Sequence, residues 1–150
     1  MGFNTNIGLS LKALKIRIKK NEGYSDIAYK DQLGFYTIGY GHLIRPNENN
    51  YFELKYKKKH FKQLFETDFK KALHQYNKLF FNSLYTNKEK ELLVEMLFQL
   101  GPKNALKFKK FFYYLNKKQK YMACLEMMDS LWYKQTPGRV LDLIKNYIHK

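Results

Sequence analysis

Glu22, Asp31 and Thr37 are the residues of this chain whose types and order can do chemistry together. Two carboxyl groups can divide the work of breaking a glycosidic bond. One protonates the departing oxygen, and the other handles water and the positive charge that develops at the sugar carbon. A threonine hydroxyl beside them can hold the attacking water. Taken singly, each residue reads as surface polarity, because any small protein offers a Glu and an Asp nine positions apart. The set carries weight only if local structure gathers it.

The flanking pattern does suggest gathering. Apolar Leu11, Leu14 and Ile18 recur on one helical face between Leu9 and Glu22, with Ser10 available as a cap. Gly23 then predicts the stop, which puts Glu22 at a helix C-terminal end. Residues 27–41 are rich in strand formers (Tyr29, Phe35, Tyr36, Thr37, Ile38, Tyr40), with Gln32-Leu33-Gly34 as a turn. Gly39 and Gly41 bracket Tyr40 and predict a bent or bulged strand that another group approaches closely. Residues 45–50 read as loop. Beyond them the chain is helical: a stripe from Phe61 to Leu79, a capping box at Thr86 and Glu89 before Leu92 to Leu100 and a stop at Gly101, then helices around Phe108 to Leu115 and Tyr121 to Met128. A last helix is capped by Thr136, starts at Pro137 and carries Val140, Leu141, Ile144 and Ile148.

Composition narrows the class. With 150 residues, 45 % of them hydrophobic and 17 % aromatic, the chain has material for one domain or one domain of two small lobes. There are 28 Lys+Arg against 13 Asp+Glu, a net charge of +15, so polyanions are attracted whether they are nucleic acid, anionic lipid or wall polymer. The single cysteine, Cys124, excludes an intrachain disulfide and reads as a small buried apolar residue. No run reaches the ~18 apolar residues of a membrane span. The first residues show no apolar stretch before a small-residue cleavage site, so synthesis in the cytoplasm is expected. A nucleic-acid-binding module fits the charge, but there is no zinc-ligand set and no helix-turn-helix pattern, and lysines spread over every helix.

Joined in order, Glu22-Gly23, Tyr29-Lys30-Asp31 and Gly34-Phe35-Tyr36-Thr37-Ile38-Gly39-Tyr40-Gly41-His42-Leu43 resemble the catalytic segment of the T-even phage lysozyme family. Phe98-Gln99-Leu100-Gly101 resembles that family's cleft-lining helix end, and the segment from Trp132 to Arg139 is similar to its C-terminal signature. The blocks together span from about residue 14 to 148. The resemblance implies an α+β, mostly helical lysozyme-like fold of two lobes, approximately 20–60 and 1–19 plus 80–150. A small β-hairpin lobe and a helical lobe would be joined by a long helix near 58–81.

It also implies roles. Glu22 is the expected proton donor, Asp31 the second carboxylate and Thr37 the residue that orients water, acting with inversion, which calls for carboxyl groups ~6.5–9.5 Å apart. Arg139 corresponds to an arginine that pairs with the catalytic glutamate, and His42 with Asp68 to a structural ion pair. Leu43, Phe98 and Gln99 are expected to contact sugar. Phe111 and Glu126 align with further cleft positions, where the family carries small or amide side chains. The stretch between His42 and Asp68 is shorter than in the family, so Arg45 to Tyr56 must complete the lower lobe with less chain. The implied substrate is the β-1,4 bond between N-acetylmuramic acid and N-acetylglucosamine of bacterial peptidoglycan. No cofactor and no metal are required, and a monomer without specific nucleic-acid binding or membrane insertion is expected. Charge would hold it to anionic wall polymers, reached through a membrane lesion or pore. Rival readings are a lytic transglycosylase on the same fold and a non-catalytic basic wall or nucleic-acid binder.

Overall fold

The computed structural model describes residues 11–149. The expected cap Ser10 and residues 1–8 lie outside the described residues. The chain divides into two compact units, residues 1–81 and 82–150.

In the first unit, α1 (Leu11–Glu22) ends where expected: Gly23 adopts φ +70° and its N–H donates to Lys19 O at 3.0 Å. Three antiparallel strands follow in sheet order, β1 (Ser25–Lys30), β2 (Tyr36–Gly39) and β3 (His42–Leu43). The expected irregularity lies elsewhere. β1 carries the bulge, since Ser25 pairs with Gly39 and Tyr29 with Thr37, while Tyr40-Gly41 forms a two-residue turn between β2 and β3. The shortened stretch still yields a third strand of two residues and a one-turn helix, α2 (Asn50–Glu53). The long helix α3 (Lys58–Leu79) buries Phe61, Phe65, Phe69, Ala72, Leu73 and Tyr76, the apolar stripe read from the sequence; only its last member, Leu79, is exposed. Ile38 of β2, Tyr51 of α2 and Phe61 of α3 form a buried cluster that fixes the sheet to the helices. Each such fully buried side chain stabilises the fold by about 1.5–3 kcal/mol.

The first unit groups α1 with the sheet and α3. Local chemistry ties them together. Lys15 pairs with Glu66 at 2.7 Å and lies over Phe69, and Lys19 lies over both Phe65 and Tyr40.

The second unit is helical: α4 (Asn87–Ala105), α5 (Lys109–Asn116), α6 (Lys120–Met128), α7 (Leu131–Gln135) and α8 (Pro137–Ile148). The Thr86–Glu89 capping box forms in full at the start of α4. Gly101, at φ +75°, breaks the helix as expected, but Pro102 restarts it, because proline needs no N–H in a first turn. Three expectations need correction. Thr136 holds the N-cap position of α8 without capping it; its hydroxyl donates instead to Trp132 O at 3.1 Å. α6 buries Ala123, Cys124 and Met127, and leaves Tyr121, Leu125 and Met128 exposed. α8 buries Leu143 and Tyr147 with Val140 and Ile144, so its inner face is rotated away from Leu141 and Ile148.

Candidate active site

Glu22 is the last residue of α1 and is half-buried. What seats its carboxyl is the β2–β3 turn. A Cβ built on Gly41 would overlap the Glu22 carboxyl group, lying 2.5 Å from its Cδ and 2.8 Å from its Cγ. Gly41 also sits at φ +78°, a conformation that side chains oppose. The close approach predicted near Gly39 and Gly41 is thus made at Gly41 by Glu22 itself.

Asp31 opens the turn between β1 and β2. Its Oδ1 accepts the backbone N–H groups of Leu33 and Phe35, both at 2.9 Å, an Asx-type turn that fixes the carboxylate plane. The second oxygen, Oδ2, lies 3.4 Å from Thr37 Oγ1, which is also within 3.1 Å of Phe35 O. One carboxylate oxygen is therefore used by the backbone and the other faces the threonine hydroxyl. Thr37 is buried, at 3 % exposure.

The sheet register extends this group. Tyr29 pairs with Thr37, and Thr37 pairs with Leu43, so the three form one row on one face of the sheet. Leu43 is half-exposed at the end of the row. The phenol of Tyr29 is pushed up from its ordinary pKa by burial, then by the negative charges of Glu22 and Asp31. It senses both carboxylates at once. Tyr29 and Gly41 were not singled out as site residues in the sequence. Their signals were the pairing register and the bracketing glycines.

The other face of β3 carries His42, whose Nδ1 is 2.8 Å from Asp68 Oδ2 and whose Nε2 is 3.2 Å from both carboxylate oxygens of Glu48. Glu48 Oε1 also accepts the N–H of Arg45. Burial is the largest influence on His42 and lowers its pKa, but Asp68 and Glu48 together raise it above the ordinary 6.5. Glu48 was missed because it belongs to the shortened loop, where no motif places it.

In the second unit, Gln99 is tied to two neighbours: its Oε1 accepts Trp132 Nε1–H at 2.8 Å and its Nε2 lies 3.5 Å from Thr136 Oγ1. Phe98 is half-buried. Phe111 is buried at 1 % exposure, and with half-buried Glu126 it lines a recess of about 390 Å³ that also holds Lys107, Lys110 and Asp129. Arg139 and Glu22 belong to different units. Within its own unit, Arg139 Nε lies 3.8 Å from the fully buried carboxylate of Glu95.

The sequence profile of the phage lysozyme family matches residues 19–146. The chain belongs to that family. Among curated proteins, "Probable T4-type lysozyme 2" of Dictyostelium discoideum is 32 % identical, over 86 % of this chain and 89 % of the relative. "Probable T4-type lysozyme 1" of the same organism is 31 % identical over the same shares. This member of the phage lysozyme family is therefore a glycoside hydrolase with the lysozyme-like α+β fold. Glu22, Asp31, Thr37 and Leu43 all fall inside the matched region, as does Arg139.

Proposed function

We propose that this lysozyme hydrolyses the β-1,4 bond between N-acetylmuramic acid and N-acetylglucosamine in peptidoglycan, with inversion at the anomeric carbon. Glu22 donates the proton to the leaving oxygen. Its position at the end of α1, seated against the Gly41 turn, fixes the place from which that proton is delivered. Asp31 and Thr37 hold the attacking water between the carboxylate Oδ2 and the hydroxyl, and Asp31 takes up its proton as the bond to carbon forms. The observation that carries the reading is the division of the Asp31 carboxylate: Oδ1 is fixed by two backbone N–H groups and Oδ2 faces Thr37. A group so tethered is arranged to orient a small molecule such as water.

Mass spectrometry of the soluble products from Gram-negative murein tests the assignment, with wild type beside Glu22→Gln. Reducing muramic ends that vanish in the variant support hydrolysis. Anhydro ends would instead identify a lytic transglycosylase, in which Asp31 and Thr37 have no water to hold. Proton NMR of the first-formed anomer decides inversion: an initial α-anomer supports it, and an initial β-anomer overturns it.

A further inference from the structure

α6 is apolar on both sides. Its inner side, Ala123, Cys124 and Met127, is buried in the second unit. Its outer side presents Tyr121 at 73 % exposure, Leu125 at 55 %, Met122 and Met128, and α7 continues the surface with Leu131 at 67 %. A helix without a polar face is ordinarily buried on both sides, and a contiguous exposed apolar surface marks an interaction site.

The chain that leads into it is rich in lysine. Residues 103–120, which lead through α5 into α6, contain seven lysines and no Asp or Glu. Lys118 is turned to the buried carboxylate of Glu89, at 2.9 Å. Lys120 lies over the buried ring of Tyr147 in α8 at 5.1 Å and Lys117 over the half-exposed ring of Tyr113 at 5.6 Å, while Lys107, Lys109 and Lys110 are exposed around the start of α5. Glu126 and Asp129, at the end of α6, line one recess with Lys107, Lys109 and Lys110 and offset part of that charge, which stays positive in sum.

We propose that the α5–α6 surface docks on a bilayer leaflet containing anionic phospholipid. The two halves of the surface select this occupant jointly. A sugar polymer or nucleic acid would satisfy the lysines but would offer nothing to cover Leu125, Met122 and Met128. A protein partner would cover those side chains, but protein interfaces are depleted in lysine. A lipid leaflet takes both: aliphatic side chains enter the acyl boundary, tyrosine rings sit at headgroup level and lysines meet the phosphates. Binding is peripheral, since among the described residues no helix is long and apolar enough to cross a membrane.

Co-sedimentation of the full chain with phosphatidylglycerol/phosphatidylcholine vesicles, beside pure phosphatidylcholine vesicles, tests the proposal. Wild type is expected to bind the anionic vesicles alone. Met122→Gln/Leu125→Gln removes outer-face apolar area without touching the buried side of α6. It should weaken vesicle binding at least tenfold, since each residue removes on the order of a kilocalorie of transfer energy, while leaving retention on a heparin column and the thermal midpoint unchanged. Lys109→Glu/Lys110→Glu should weaken binding by roughly fivefold or more per lysine. Glu22→Gln should bind as wild type, which separates this proposal from the catalytic one. Three results overturn it: no binding to anionic vesicles, undiminished binding by the Met122→Gln/Leu125→Gln variant, or a dimer in sedimentation velocity that the same variant dissolves.

Discussion

Gly41→Ala is the sharpest perturbation of the site, because the structure separates its effect on stability from its effect on catalysis. The alanine inherits φ +78°, a left-handed conformation that costs an L-residue about 1–2 kcal/mol. Gly101→Ala also carries positive-φ strain, at φ +75° and ψ +165°, a region open essentially to glycine alone, but its Cβ meets nothing within 4 Å. Both variants should therefore lose stability in thermal or denaturant unfolding, and the loss at Gly101 reports backbone strain alone. The Gly41 variant also has a steric consequence. Its Cβ would lie 2.5 Å from Glu22 Cδ, where ordinary contact begins at 3.4 Å, so the carboxyl must retreat by the difference, 0.9 Å. Glu22 can yield, since its carboxyl is the end of a flexible side chain, and the penalty then appears in the reaction. A misplacement of that size is worth about 10²-fold in rate. With soluble muropeptide as substrate, kcat of Gly41→Ala should fall about a hundredfold against Gly101→Ala while KM changes little. Equal kcat in the two variants would refute the claim that Gly41 exists to seat Glu22.

Asp31→Asn keeps an oxygen for the N–H groups of Leu33 and Phe35 but turns an amide NH₂ toward Thr37; unfolding should be little changed while hydrolysis falls on the order of 10²–10⁴-fold. Because the folded pKa of His42 is raised, its contribution to stability is complete below its ordinary 6.5 and is lost as pH rises through the folded value. His42→Asn should abolish that loss between neutral and alkaline pH in denaturant titrations, and it should destabilise the protein at pH 6 by about 3 kcal/mol by leaving two carboxylates without their cation. Thr86→Ala removes the hydroxyl that accepts Glu89 N–H and should cost about 1 kcal/mol in urea unfolding.

The parts of the fold legible in the sequence were those set by local rules. The stop at Gly23, the capping box at Thr86 and the break at Gly101 are backbone chemistry that a few residues decide. The stripe on α3 was legible because five turns of one period leave little choice of face. α6 was not, since a short helix that is apolar all round has no periodic signal to say which side turns inward. Thr136 was misread as a side-chain cap because a cap position is visible in sequence but the competing acceptor, Trp132 O, is not. At the site, residue order supplied Glu22, Asp31 and Thr37, while Tyr29 and Gly41 depend on strand register and on where a helix end meets a turn. Lysine counts over each helix likewise hid the absence of acids from 103–120, which matters only once Leu125 and its neighbours are known to face outward.

The segment from β3 to α3 is held by side-chain ties. β3 is two residues long, too short to be held by its ladder alone. Alternation puts His42 on its inner face and Leu43 on its outer one. His42 then meets Asp68 of α3 on one nitrogen and Glu48 of the loop on the other, so that a single buried imidazole fastens strand, loop and helix. The following segment is secured in the same manner: Tyr51 Oη lies 2.8 Å from His60 Nε2, Tyr56 stacks on His60 with ring centres 4.4 Å apart, and Asn50 Nδ2 donates to Tyr56 Oη at 2.8 Å. These ties act on one side of the sheet and the Tyr29–Thr37–Leu43 row lies on the other. Holding β3 from behind holds Leu43 in register with Thr37. The clamp at His42 thus reaches the site by fixing the strand rather than by touching the reacting groups, and loosening it should disturb Leu43 before it disturbs Asp31, whose turn is closed by its own backbone.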